Sequence, residues 1–194
     1  MGEIKGFVKE IFEFINMMPE VKTCKIDGSL RSGNNDEYSD LDLVIDVSGV
    51  DNGVFLTKLP QLFEEQYDVI FFDYTPSLAP DKYIVSIAVN KENPFMIVDL
   101  SCVAAPHCDT VSKQDLASLN NKYDHTLKLF VANLKHLLRG MDCYDDIYKM
   151  YSRIFGRDLE AYDEEWMMQE IYRWLQENAE SRHEDYLALF EGYL

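Results

Sequence analysis

Three aspartates and a Gly-Ser pair are the residues of this sequence whose types and spacing could do chemistry. Gly28 and Ser29 follow a short β-like run, and Asp40 and Asp42 stand at the start of a second run, LDLVIDV. In a β-strand, residues i and i+2 point to the same face, with Cα atoms about 6.5–7 Å apart. Carboxylates at that spacing can hold two Mg²⁺ ions, which lie about 3.5–4 Å apart in two-metal sites. The pattern therefore predicts a metal platform on a strand.

Asp99 is a third candidate ligand because it interrupts an otherwise apolar run, FMIVDLSCV. A carboxylate in such a run needs a partner, since burying an isolated charge is costly. If the strands that contain Asp42 and Asp99 are neighbours, the acids converge, and their hard oxygen atoms suit Mg²⁺ rather than zinc or copper. The alternatives are a solvated strand junction for Asp40 and Asp42, a structural ion pair for Asp99, and an exposed strand end for Asp46.

Gly28 and Ser29 are the candidate phosphate-binding residues. A glycine lets the backbone approach a phosphate closely, and backbone N–H groups with the Ser29 hydroxyl can hold phosphate oxygens. Arg31 could neutralise further charge, as could Lys128 and Lys135, which are spaced i, i+7 on one face of a predicted helix. The alternatives are an ordinary turn at the Gly-Ser pair, a surface charge at Arg31, and a solvated row of lysines.

The hydrophobic periodicity predicts which elements position these residues. Period-two runs and helices alternate up to Pro106, and only period-3.6 patterns follow it. The sequence therefore predicts an α+β fold, with a small mixed-sheet domain over 1–108 and a helical C-terminal domain over 109–194. The predicted elements are helices 3–17 and 54–67, strands 21–26, 41–47 and 69–74, a hairpin of 83–89 and 95–103, and helices 121–139, 144–155, 164–178 and 183–193.

The composition narrows the class of protein. The chain has 194 residues, 47% of them hydrophobic and 13% aromatic, which is enough for a packed core and argues against disorder. No apolar run approaches the roughly 20 residues that a membrane span needs. A formal net charge of −17 disfavours a binder of long nucleic acids, which requires a basic surface to displace counterions.

The four cysteines show no metal-binding pattern. Cys24, Cys102, Cys108 and Cys143 contain no C-x-x-C pair, and no histidine lies at zinc spacing from two of them. We therefore expect reduced thiols. The N-terminal segment alternates charged and apolar residues, unlike a signal peptide, so we expect a cytoplasmic protein.

Gly28-Ser29, then Asp40-Leu41-Asp42-Leu43, and later Asp99 in a strand together resemble the DNA polymerase β-like nucleotidyltransferase superfamily. The small size and the helical C-terminal half look most like its bacterial antibiotic-modifying members, the aminoglycoside and lincosamide nucleotidyltransferases. The resemblance implies that Asp40 and Asp42 bind two Mg²⁺ ions, and that Asp99 ligates one of them and accepts the proton of the acceptor hydroxyl. It also implies that Gly28 and Ser29 hold the β- and γ-phosphates of a nucleoside triphosphate.

The implied activity is transfer of a nucleoside monophosphate, with ATP as the expected donor, to a hydroxyl of a small molecule, as in antibiotic resistance. The acidic surface is compatible with a cationic acceptor such as an aminoglycoside. Relatives of this kind often form homodimers in which one subunit completes the cleft of the other. Two alternatives are modification of a protein or an RNA end by the same reaction, and an antitoxin-like or regulatory module that binds a partner protein.

Overall fold

The computed structural model describes residues 2–75, 82–89, 92–104, 110–156 and 162–194, with side chains from residue 6 onward. These residues form two compact units, which lie within Met1–Val89 with Met96–Asn120 and within Asn90–Phe95 with Asn121–Leu194. The predicted α+β fold, with a small mixed sheet and a helical C-terminal part, is confirmed. The elements in chain order are α1 (Gly2–Asn16), β1 (Thr23–Ile26), α2 (Gly28–Ser32), β2 (Leu41–Asp46), α3 (Asn52–Glu64), β3 (Phe71–Thr75), β4 (Lys82–Ala88), β5 (Val98–Val103), α4 (Lys113–Ala117), α5 (Lys122–Leu138), α6 (Tyr144–Phe155), α7 (Glu164–Glu177) and α8 (Ser181–Ala188).

The first unit is built on a five-stranded sheet in the order β1-β2-β5-β4-β3. β2 and β5 are parallel, and the other neighbouring strands are antiparallel. Alternation along β2 explains its two faces: Leu41, Leu43 and Ile45 are completely buried in the core, whereas Asp42 and Asp46 lie on the opposite face. The apolar residues therefore anchor the strand while its aspartates project from the other side.

Helix α3 contains a proline whose cost the fold offsets. Pro60 has no N–H, so the Leu56 carbonyl four residues earlier loses its usual helical partner. The buried Tyr74 hydroxyl on β3 donates to that carbonyl at 2.9 Å. Burial raises the pKa of Tyr74 to about 12. The helix predicted across Pro60 is thus confirmed, and a neighbouring strand supplies the missing donor.

The outer edge of β3 is closed by a side chain. The Tyr74 N–H donates to the Asn120 side-chain oxygen at 2.7 Å, and the Asn120 amide donates to the Tyr74 carbonyl at 2.9 Å. An exposed edge strand would otherwise present both groups unpaired. The amide of Asn120 therefore takes the place that a further strand would occupy.

In the second unit, a partly buried network of Asp124, Arg182 and His183 connects two helices. The Asp124 carboxylate lies 3.1 Å from His183 Nε2 and 3.2 Å from Arg182 Nη2. The Glu180 N–H donates to His183 Nδ1 at 3.2 Å, so Nε2 is the nitrogen that donates to Asp124. Asp124 and His183 are 5% and 1% exposed, and the network links the start of α5 to α8. This network has a structural role within the unit.

Several predictions about the chain can be compared directly with the structure. The helix 144–155 is found with the predicted bounds, whereas α8 ends at Ala188 rather than at 193. Helix α4 was not predicted from periodicity; a capping box between Ser112 and Asp115 starts it. The predicted domain boundary after residue 108 lies outside the described residues, as does Cys108. Among the described helices, none has the length and apolar character needed to cross a membrane.

The described cysteines are free thiols inside the protein. Cys24, Cys102 and Cys143 are all buried and unpaired. Burial raises the pKa of Cys24 to about 11, and burial together with the nearby Glu164 raises that of Cys143 to about 11. Thiols with raised pKa values are poor nucleophiles at neutral pH.

Candidate active site on the parallel strand pair

The parallel pairing of β2 with β5 brings two of the predicted acids together. Asp42 and Asp99 are direct register partners. Neighbouring strands lie about 4.8 Å apart, and register partners point to the same face of a sheet. Both residues are half-buried and lie between residues that are buried on the core side. The two carboxylates are therefore side by side on the face opposite the core.

Asp99 is also held from its other side. Strand β4 places Ser86 in register with Asp99, and the Ser86 hydroxyl donates to Asp99 Oδ1 at 2.5 Å. Ser86 is only 2% exposed, so this hydrogen bond is shielded from water. The sequence left open a structural ion pair as the explanation for Asp99. The structure shows that one hydrogen-bond partner of this carboxylate is the neutral hydroxyl of Ser86.

A fourth polar residue extends the row across the sheet. Asp73 on β3 is the register partner of Ser86 and is completely buried. The row Asp42, Asp99, Ser86 and Asp73 thus crosses four adjacent strands on one face. Sequence reasoning missed Ser86 and Asp73. The available signal was the same as for Asp99, a polar residue inside an apolar run, here YIVSIAV and IFFDY.

Gly28, the first residue of the Gly-Ser pair, lies against Asp42. Gly28 has a φ of 63°, a left-handed conformation that favours glycine. A Cβ at this position would overlap the Asp42 carboxylate and would lie 2.7 Å from Asp42 Cγ. The Asp27 N–H donates to the Asp42 carbonyl at 2.9 Å, which fixes the backbone beside the strand. Only glycine lets the chain pass this close to Asp42.

The other predicted site residues of the first unit are Asp40, Ser29 and Arg31. Asp40 directly precedes β2 and is half-buried. Ser29 is half-buried in α2, and its carbonyl accepts from the Ser32 hydroxyl at 3.1 Å. Arg31 is exposed, and its Nη1 lies 3.3 Å from Asp27 Oδ1. An exposed ion pair of this kind contributes little to stability, so breaking the contact between Arg31 and Asp27 costs little free energy.

The two predicted lysines belong to the second unit. Both lie on α5, where Lys128 is half-buried and Lys135 is 4% exposed. A solvated surface row therefore does not describe Lys135. Their contact with phosphate stays a prediction.

Asp46 lies on the same face of β2 as Asp42 and accepts hydrogen bonds from a residue close in sequence. The Ser48 hydroxyl and the Ser48 N–H, the latter at 2.7 Å, both donate to Asp46 Oδ1. These hydrogen bonds hold the pKa of Asp46 below its ordinary value, with smaller help from the charges of Lys22 and Lys25. Asp46 is the last residue of β2, as the alternative to a ligand role predicted, but it is half-buried rather than exposed.

The donor chemistry of this face fits a divalent cation such as Mg²⁺. Asp42 and Asp99 offer hard carboxylate oxygens from adjacent strands, and the Asp42 carboxylate occupies the space that a side chain at Gly28 would fill. Among the described residues, no group of three or more His, Cys, Asp or Glu side chains is arranged to hold a metal ion. The structure thus contributes an acid pair rather than a closed trio, and the role of Asp40 as a third ligand stays a prediction.

Comparisons with known proteins find only distant structural similarity. No protein family and no curated protein matches this chain. A chain in the structure of the GLD-2/RNP-8 complex is similar over 90% of this chain and 51% of its own length, with 14% identity and a TM-score of 0.41. A chain of the polymerase core of TRAMP, an RNA surveillance complex, is similar over 98% and 56%, with 11% identity and a TM-score of 0.41. This chain therefore spans about half the length of each.

Proposed function

We propose that this chain is a divalent-metal-dependent nucleotidyltransferase that moves a nucleoside monophosphate, AMP from ATP, to a hydroxyl of a small molecule. The observation that supports this best is the side-by-side placement of Asp42 and Asp99, with the Gly28 backbone packed against Asp42. Two carboxylates on one face of adjacent strands can share a divalent cation, and the proposal gives the pair this role.

The proposal gives each residue the role that the sequence resemblance suggests. Asp42 and Asp99, with Asp40, would hold two Mg²⁺ ions, which supply charge stabilisation to the triphosphate and acidify the acceptor hydroxyl. Gly28 and Ser29 would bind the β- and γ-phosphates through backbone N–H groups and the Ser29 hydroxyl. The acceptor oxygen then attacks the α-phosphorus in line, and pyrophosphate leaves.

The proposal also specifies the chemical class of the acceptor. A formal charge of −17 disfavours long nucleic acids and attracts cations, which fits a cationic small molecule such as an aminoglycoside. A lincosamide is the other antibiotic acceptor that the sequence resemblance suggests. Asp99, which is the register partner of Asp42, would take the acceptor proton, as the sequence resemblance suggests.

The test is incubation of the protein with Mg²⁺, labelled ATP, and a panel of aminoglycosides, lincosamides and candidate proteins. We expect pyrophosphate release and a labelled small-molecule product, both lost in Asp42→Asn. Label on a protein acceptor instead would overturn the small-molecule part of the proposal. No turnover with any acceptor, and no difference between the wild type and Asp42→Asn in Mg²⁺-dependent nucleotide binding, would indicate a partner-binding module.

A further inference from the structure

We infer that Ser86 is a positioning residue that orients the Asp99 carboxylate for binding the divalent cation. This inference rests on the proposed function and deepens it, because it adds a residue behind the acid pair. The supporting geometry is the 2.5 Å hydrogen bond from the Ser86 hydroxyl to Asp99 Oδ1, made between register partners on β4 and β5.

The side from which the bond is made matters. β5 lies between β2 and β4, so Asp99 has Asp42 as its neighbour on one side and Ser86 on the other. The terminal torsion of an aspartate is broad, and the carboxylate plane rotates easily unless something fixes it. Ser86 fixes this plane from the β4 side and leaves the β2 side of Asp99 to the acid pair.

The burial of Ser86 favours its hydrogen bond to Asp99. Ser86 is 2% exposed, and a buried hydroxyl needs a hydrogen-bond partner within the protein. A hydroxyl has one proton to donate, and here that proton goes to Asp99. Hydrogen bonds to an ionised acceptor are among the stronger ones. The orientation of Asp99 is therefore set before any ligand arrives.

The expected magnitude comes from metal sites in general. Removing a residue that hydrogen-bonds a metal ligand typically costs about 10–100-fold in metal affinity or activity. We therefore expect Ser86→Ala to raise the Mg²⁺ concentration for half-maximal thermal stabilisation by roughly tenfold or more. Ser86→Thr, which keeps the hydroxyl, should stay close to the wild type.

Ser101 offers a matched control on the same strand as Asp99. It lies two residues further along β5, on the same face, and its register partners are Val44 and Ile84. Ser101→Ala removes the same hydroxyl group from this face and leaves the Ser86–Asp99 hydrogen bond in place. We expect its Mg²⁺ midpoint to equal that of the wild type.

The experiment is a Mg²⁺ titration of the full chain by thermal shift, without nucleotide, for the wild type, the three serine variants and Asp42→Asn. A purely structural role for Ser86 would lower the melting temperature without Mg²⁺ but leave the midpoint unchanged, and that result would overturn the inference alone. If Ser86→Ala does not fold, Ser86→Cys keeps the volume with a much weaker donor and should shift the midpoint in the same direction. Absence of a Mg²⁺ response in the wild type, or the same response in Asp42→Asn, would overturn the proposed function and the inference with it.

Discussion

Two aspartates in the two units of this protein illustrate opposite ways of placing a carboxylate. Asp124 in the second unit is 5% exposed and faces Arg182 and His183, so cationic and hydrogen-bonding partners from its own chain surround it. Asp99 in the first unit faces a neutral hydroxyl on one side and a second carboxylate on the other. The first arrangement is a structural network within the chain, whereas the proposed function assigns a divalent cation to the second.

The comparison predicts that the acid pair matters for activity and not for folding. Asp42→Asn should lower nucleotidyl transfer by about a thousandfold or more, since a metal ion provides several kcal/mol to the transition state. The same substitution removes one of two adjacent like charges, so the free energy of unfolding without Mg²⁺ should stay equal or rise. Pyrophosphate release and urea denaturation measure the two effects. A large loss of stability without loss of transfer would reverse the assignment.

The second prediction tests the opposite member of the comparison. Asp124→Ala should lower the free energy of unfolding by about 3–5 kcal/mol, because removing one partner of a buried pair leaves the others unsatisfied. Asp185→Asn, an exposed aspartate on α8, is the control and should change stability by less than about 0.5 kcal/mol. Urea denaturation of both variants gives the values. Equal effects would mean that the Asp124 network contributes nothing to the fold.

A third prediction sharpens the description of the site. Gly28→Ala should lose transfer activity because its Cβ would collide with the Asp42 carboxylate. Gly33 is a matched control: its φ of 76° is also left-handed, but a Cβ there would meet nothing within 4 Å. Both variants should lose about 1–2 kcal/mol of stability from the backbone alone. Only Gly28→Ala should also lose most of its transfer rate, and equal rates would disprove the close approach.

The smallest expected effect concerns Asp46, on the same strand as Asp42. Its pKa is lowered in the folded state by Ser48, so this stabilisation is present above the ordinary aspartate pKa of 3.8 and is lost as the pH falls through the lower folded value. Ser48→Ala should therefore be slightly less stable than the wild type at pH 7. The difference should shrink at pH 3, as measured by urea denaturation at both values. A difference that is independent of pH would point to packing instead.

The elements were predictable because their signals are local. Alternation along LDLVIDV fixed which side chains of β2 are buried, and helical periodicity fixed α6. The residues that sequence reasoning missed depend on distant pairing. Ser86 meets Asp99 only through the antiparallel register of β4 with β5, and His183 meets Asp124 across 59 residues. The apolar run around Ser86 marks it as an unusual polar residue, but no local pattern indicates which distant residue it pairs with.

Asn120 has a consequence for how the protein behaves at high concentration. β3 is one outer strand of the sheet, and the Asn120 amide already occupies the Tyr74 N–H and carbonyl. A strand from another molecule that tried to add here would have to displace two good hydrogen bonds before it gained any. Asn120 therefore raises the energetic cost of adding a further strand at this position of β3.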